Sequence, residues 1–325
     1  MKKQFRLFLL LILVVGFCTL NALSCGGNKQ SITIPNSTSP VTPPSTASQP
    51  PAQVNQIFPD ANLEAAVRQA LNKPQGPIKA ADLESLTSLA LANKGIANLE
   101  GLEHCVNLQT LDLTLNDELR DISPLAQLTK LQSLILEDDT YINDLSPLAY
   151  LINMVDLNIE GATPVTDISP LANLTNLQVL DCSDMPGISD LSPLAHLTNH
   201  VELTMRTDNI TSLSILGNFT SLKKLYLFGN RITSISSLEH LTNLEDLRLY
   251  NNQIVDIAPL AGLTKLTNLQ LQNNLISDIS PLAGLKSLTN LTLANNKITD
   301  ISTLAQLPNC RSLPCRPTAY RIYRF

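Results

Sequence analysis

The chain has 325 residues, 44% of them hydrophobic but only 4% aromatic and none of them Trp, so its core must be built from aliphatic side chains. Leu recurs at regular spacing, which argues for a repeat protein before a globular enzyme. A net charge of −6 leaves no basic footprint and argues against nucleic acid as a partner.

Residues 1–24 read as a signal peptide of lipoprotein type. Lys2, Lys3 and Arg6 form a charged start, and Leu7 to Leu20 an apolar run of 14 residues, short for a membrane span but suited to a signal core. The run leads into NALSCGGN, where Ser24-Cys25-Gly26 has the form of a bacterial lipobox, with Ala22 where Leu is usual and Leu23 where a smaller residue is common. Residues 25–56 then read as a lipidated Cys25 and a tether rich in Ser, Thr, Pro, Gln and Asn, which cannot bury a core. Ordinary cleavage and secretion, or an uncleaved anchor, are the alternatives.

Residues 57–85 read as a helical cap. DANLEAAVRQAL, residues 60–71, predicts an amphipathic helix with Asp60 as N-cap and Leu63, Val67 and Leu71 on one face. A second helix runs through AADLESL. Together they cover the exposed edge that the first strand of a repeat array would otherwise present.

From residue 86 to 309 the chain obeys L-x-x-L-x-L-x-x-N-x-I-x-x-I-x-x-L-x-x-L-x-x. Ten units begin at Leu86, Leu108, Leu131, Met154, Leu177, His200, Leu222, Leu244, Leu266 and Leu288, a leucine-rich-repeat register. The spacing is 22, then 23 four times, then 22 to the end. The L-x-L core alternates, so it predicts a short strand with Leu inward. Ten such strands stacked at about 4.8 Å make a parallel arc on the order of 45 Å long. The fold class is therefore α/β: a solenoid with a curved parallel sheet on its concave face and short helical or 3-10 turns on its convex face.

The Asn that ends the strand can bond to backbone groups of neighbouring turns, and Ser-Pro-Leu, at 123–125, 146–148, 169–171, 192–194 and 280–282, starts a helical turn with Ser as N-cap and Pro preorganised. The Asn position holds Asp139, Ala162, Met185 and Asp208 in the third to sixth repeats. The expectation there is altered loops on the convex side.

Motifs for chemistry are weak. His196 and His200 have a spacing that could pair on zinc, but no third ligand is suggested, and His104 and His240 are turn residues. Asp138, Asp139, Asp167, Asp184 and Asp190 lack the alternation of a calcium loop and read as solvated carboxylates. Neither a nucleophile elbow nor a phosphate loop occurs. Cys105, Cys182, Cys310 and Cys315 each stand where other repeats have Leu, so they read as small buried hydrophobes. A Cys310–Cys315 disulfide stays open.

The outward residues of the strands carry the information. They form an acidic stretch from Asp112 to Glu202, an aromatic and cationic patch from Arg206 to Tyr250, and a neutral amide end from Asn268 to Ala294. The patch comprises Arg206, Lys224, Tyr226, Phe228, Arg248 and Tyr250. Tyr and Arg dominate binding hot spots, and neighbouring strands bring Tyr226, Arg206 and Arg248 within reach of cation–π contact. Since aromatics favour strands anyway, cross-strand packing alone is the competing reading. In the partner reading, Arg206, Lys224 and Arg248 pair with carboxylates of the partner and the acidic stretch steers a basic region of it.

In residues 310–325, Leu313 and Cys315 keep register for half a repeat before a basic tail. A truncated or frame-shifted end and a genuine minimal end are both open.

The run VNQIFPDANLEAAVRQALNKPQGPIKAADLESLTSLAL, followed by DISPLAQLTKL and NNLISDISPLAGLKSL, resembles the internalin family of bacterial surface proteins over roughly residues 54–309. The resemblance implies a binding scaffold whose concave face docks a protein, without catalysis. Two departures stand out: internalins usually follow the repeats with an immunoglobulin-like cap and a wall-attachment signal, and neither occurs here. A lipid tether would replace the anchor, so a host-receptor role does not carry over.

The expectation is a non-enzymatic, extracytoplasmic, membrane-anchored monomer, without cofactor or metal, that binds a protein ligand. An envelope-glycan module and a passive spacer are the other classes.

Overall fold

The computed structural model describes residues 57–311, and side-chain burial over 57–309. Cys25, the signal and tether segments and the Cys310–Cys315 pair lie outside the residues whose side chains are described. Two helices open the described part, α1 (Ala61–Ala70) and α2 (Ala80–Glu84). Ten three-residue strands follow: β1 (Ser88–Ala90), β2 (Thr110–Asp112), β3 (Ser133–Ile135), β4 (Asp156–Asn158), β5 (Val179–Asp181), β6 (Glu202–Thr204), β7 (Lys224–Tyr226), β8 (Asp246–Arg248), β9 (Asn268–Gln270) and β10 (Asn290–Thr292). They form one parallel sheet in chain order, always in register, as in Leu203↔Leu225↔Leu247. A 3-10 turn separates each strand from the next. Leucines from both layers meet in one continuous aliphatic core along the solenoid, the arrangement that repeats adopt when no unit can bury its own apolar face.

Asp60 ties the cap to the repeats. One carboxylate oxygen accepts from the N–H groups of Asn62 (2.8 Å) and Leu63 (3.0 Å), and the other from those of Ala97 (2.8 Å) and Asn98 (3.1 Å). Burial opposes its charge, but these four donors hold its carboxyl below the usual range. Leu63 and Val67 face inward as predicted, whereas Leu71 is only half-buried. Phe58 packs against Gly101, whose φ of 97° and lack of side chain are both needed, since a Cβ there would lie 2.7 Å from the ring.

The 3-10 turns are capped differently from the prediction. Ser is their first residue and caps nothing. The acceptor is the Asp two residues earlier: Asp121, Asp144, Asp167, Asp190 and Asp278 each take the Ser N–H at 2.7–2.8 Å. This is an Asx turn closed by a charged acceptor. In the sixth and seventh repeats Ser212 and Ser234 stand in for Asp, at 3.4 Å.

Irregular spacing and the broken Asn ladder have one cause. In 22-residue repeats the chain runs from the ladder residue to the next buried Ile so directly that the Ile N–H must reach the following repeat. Ile96, Ile232 and Ile254 thus donate to the amide oxygens of Asn116, Asn252 and Asn274 at 2.9–3.0 Å. In the 23-residue repeats, the second to the fifth, the extra residue lets that N–H turn back onto its own repeat. Leu119, Ile142, Val165 and Ile188 donate to the carbonyls of Asn116, Asp139, Ala162 and Met185. The amide oxygen of the following repeat is then no longer required for it, and the next ladder positions are Asp139, Ala162, Met185 and Asp208. All four stay buried at 0–1% exposure, and the loops do change, with an added turn at 117–118, 140–141, 163–164 and 186–187 that alters how core N–H groups are satisfied.

Candidate partner-binding face

Each strand turns alternate residues away from the core, so the concave face collects the outward set. β6, β7 and β8 bring six predicted residues together on adjacent strands. Register sets Thr204, Tyr226 and Arg248 side by side, and the backbone bonds Thr207 N–H to Phe228 (3.2 Å) and Gly229 N–H to Tyr250 (3.0 Å) align the residues that follow. Lys224 is exposed and the other five are half-buried.

The rings and guanidinium groups stack along the sheet. Phe228 and Tyr250 lie 4.3 Å apart and within 10° of parallel, an offset stack. Arg206 covers Phe228 at 5.8 Å, and Arg248 lies over Tyr226 at 4.2 Å. Both are cation–π contacts, although Arg206 chooses Phe228 and not Tyr226. Phe228 is thus flanked by Arg206 and Tyr250, and one face each of Tyr226 and Tyr250 is covered within the sheet.

Each cation also has an internal carboxylate. Arg206 pairs with Glu160 across the intervening strand, Lys224 with Glu202 at 2.8 Å, and Arg248 with Asp246 at 2.9 Å. Asp246 is a hub: it accepts from the Tyr226 hydroxyl (3.1 Å), from Arg248 and from the Asn268 amide (2.8 Å). Burial works against its charge, but these donors hold it below the usual carboxylate range. Burial and the adjacent Asp246 push the Tyr226 hydroxyl up to about 12. Sequence reasoning placed Asp246 on the face without a role, because its partners come from three strands.

The acidic stretch is the counterpart. Asp112, Glu137 and Asp156 make no ion pair within 4 Å among the described residues, and Asp181 shares the field of Arg206 without touching it. Burial, with Glu202 nearby, raises the Asp156 carboxyl, and burial raises those of Glu160 and Asp181.

The other predicted groups fall elsewhere. His196 is exposed while His200 is buried against Phe219 at 5.4 Å, so the pair does not converge. Burial drives the His200 imidazole down to about 4. Among the described residues no three His, Cys, Asp or Glu side chains gather to hold a metal. Cys105 and Cys182 are buried free thiols, and burial pushes Cys105 up to about 12. A contact between the loops of the second and third repeats that the pattern gave no sign of is Arg120 over Tyr141 at 4.2 Å. Among the described residues no helix is long and apolar enough to cross a membrane.

A ten-strand parallel ladder with 3-10 returns and a side-chain-rich concave face defines a leucine-rich-repeat solenoid. The family model for leucine-rich repeats (two copies) matches residues 152–196, 220–262, 242–284 and 264–306. The crystal structure of an internalin, InlF, from Listeria monocytogenes is 35% identical, covering 82% of this chain and 84% of that one, with a TM-score of 0.70. This chain belongs to the internalin family. The functional domain of InlJ from Listeria monocytogenes, which includes a cysteine ladder, is 25% identical over 78% of this chain and 59% of that one, with a TM-score of 0.61. Cys105 and Cys182 occupy different positions of their repeats, so they build no such ladder. The ectodomain of a plant receptor kinase from Arabidopsis thaliana shares the fold at 20% identity, over 64% of this chain and 26% of that one, with a TM-score of 0.53.

Proposed function

We propose that this chain is a non-catalytic scaffold, tethered outside the cytoplasm by a lipid on Cys25, that docks a protein on the concave face of its repeat sheet. The observation that carries the docking site is the preassembled patch on β6–β8, where Phe228 and Tyr250 stack and two arginines lie on ring faces. Rings and guanidinium groups already locked in place lose little conformational freedom on binding, which is what a hot spot requires. Tyr226, Phe228 and Tyr250 anchor the partner. Arg206, Lys224 and Arg248 meet it with their charge balanced by Glu160, Glu202 and Asp246, as packing surface and hydrogen-bond donors more than as free cations.

A glycan is the weaker alternative, because sugars stack on open ring faces, and Phe228 is flanked by Arg206 and Tyr250 while one face of Tyr226 is taken by Arg248. The test uses cells displaying the full chain, with surface crosslinking and identification of what is captured. Tyr226→Ala with Tyr250→Ala should reduce capture of the protein partner at least about tenfold, the usual scale of a hot-spot loss. Unchanged capture removes the docking site. In the same cells Cys25→Ala should release the chain from the membrane fraction, and retention there removes the lipid tether.

A further inference from the structure

The concave face is unbalanced in a way that selects its partner. All three cations on it are already matched by carboxylates of the same face. Asp112, Glu137 and Asp156 are left without a counter-charge, and Asp181 has the field of Arg206 but no ion pair with it. These four side chains are half-buried, Asp112, Asp156 and Asp181 on β2, β4 and β5 and Glu137 two residues past β3. A ligand that brings cations is therefore favoured by direct pairing with carboxylates that have no counter-charge of their own. Two apolar residues share the area: Ile135 lies in register between Asp112 and Asn158, and Val179 in register beside Asp156. An aliphatic floor under a carboxylate rim matches a long basic side chain, whose methylene stem packs while its head is paired. It does not match a bare metal ion, which wants converging oxygens.

We infer that the segment of the partner lying on β2–β5 is a cationic polypeptide, with Lys or Arg stems on Ile135 and Val179 and their heads on Asp112, Glu137 and Asp156. This deepens the concave-face docking proposed above and rests on it. The aromatic patch then supplies the anchor and the acidic half supplies the charge selection.

The experiment uses the full chain and a synthetic 12-residue peptide of alternating Arg and Ala, with an alternating Glu and Ala peptide and calcium chloride as comparison ligands. Two variants carry the same change in net charge. One is Asp112→Asn with Glu137→Gln and Asp156→Asn on the face. The other is Glu84→Gln with Glu100→Gln and Glu239→Gln, all exposed away from it. The Arg peptide should bind, more weakly as salt rises, and the face variant should lose about tenfold in affinity while the distant variant loses less than about twofold. Thermal melts of both variants check folding. Equal losses in the two variants would mean attraction by net charge alone and overturn the inference. So would binding of the Glu peptide in preference, or calcium binding that disappears in the face variant while the Arg peptide never binds. If the face variant leaves binding of the Arg peptide intact while Tyr226→Ala with Tyr250→Ala abolishes partner capture, the docking face stands and only the charge selection falls.

Discussion

Asp139 and Asp208 occupy the core position that Asn fills in the regular repeats, and each has one oxygen satisfied and one stranded. One oxygen of Asp139 takes the Asn116 N–H at 2.8 Å, and one of Asp208 takes the Met185 N–H. The second oxygen of each is buried without a hydrogen-bond partner, at the place where an Asn would present its NH2. Burial raises both carboxyls to about 7, with Asp112, Asp117 and Asp138 adding to the shift of Asp139. Asp181 and Asp184 add to that of Asp208, against a smaller opposite pull from Arg206. A folded value above the unfolded one means stability is fully present below about pH 4 and is lost as pH rises through 7. Between pH 6.5 and 8 the two sites together should cost about 1–2 kcal/mol. His200 runs the other way, but its loss of stability falls between about pH 6.5 and 4, below that window. Urea unfolding at pH 6.5 and 8 should therefore show the parent chain losing stability, and Asp139→Asn with Asp208→Asn abolishing the loss. A parent chain of equal stability at both pH values would show that these carboxyls are not held protonated.

At the level of the repeat, residue count and ladder chemistry are coupled one unit apart. The Leu register, the strands and the cap helices were legible in the sequence, because each depends on residues within one repeat or helix. The coupling was not, because its hydrogen bonds run from an Ile in one repeat to an Asn in the next. The same reason hid the internal pairing of Arg206 with Glu160, which spans two strands, and the stacking of Phe228 on Tyr250. Repeat four tests the coupling. Val165 N–H turns back to the Ala162 carbonyl at 3.1 Å because Thr163 and Pro164 give it room, and Met185 in the next repeat offers no acceptor. Deleting Thr163 should strand that N–H at a cost of about 1–3 kcal/mol, while Met185→Asn alone leaves its oxygen only the Ala162 N–H, the kind of donor that Asp139 finds in Asn116. Together they recreate a regular repeat. The combined cost measured by denaturant should fall short of the sum by at least about 1 kcal/mol; simple additivity would sever length from ladder.

Over the whole array, stability is close to a sum of neighbour terms, so a run of weaker interfaces inside it matters more than its average. Each ladder Asn in the later repeats bridges backward twice, as when Asn252 takes the Ile232 N–H and donates to the Leu227 carbonyl, both at 3.0 Å. Ala162 and Met185 bridge with nothing; the Ile142 and Val165 N–H groups find carbonyls of their own repeats, so what each of these two interfaces loses outright is the amide donation, at about 1 kcal/mol per bond. Their flanks are well held, by the Asp60 cap on one side and the Asn230 to Asn296 ladder on the other. The array therefore has a soft seam in its interior, and the unpaired carboxylates of β2–β5 lie over it. Hydrogen exchange should find the amides of Ile159 and Cys182 less protected than their counterparts Leu249 and Leu271. All four bond to carbonyls of the next strand, so a difference reports the seam and not a missing partner. An Arg-containing ligand on the acidic half should raise protection at Ile159 and Cys182 while leaving Leu271 unmoved. Uniform protection along the sheet would mean that strand pairing alone sets the interface strength and that the ladder bonds are replaceable by apolar packing.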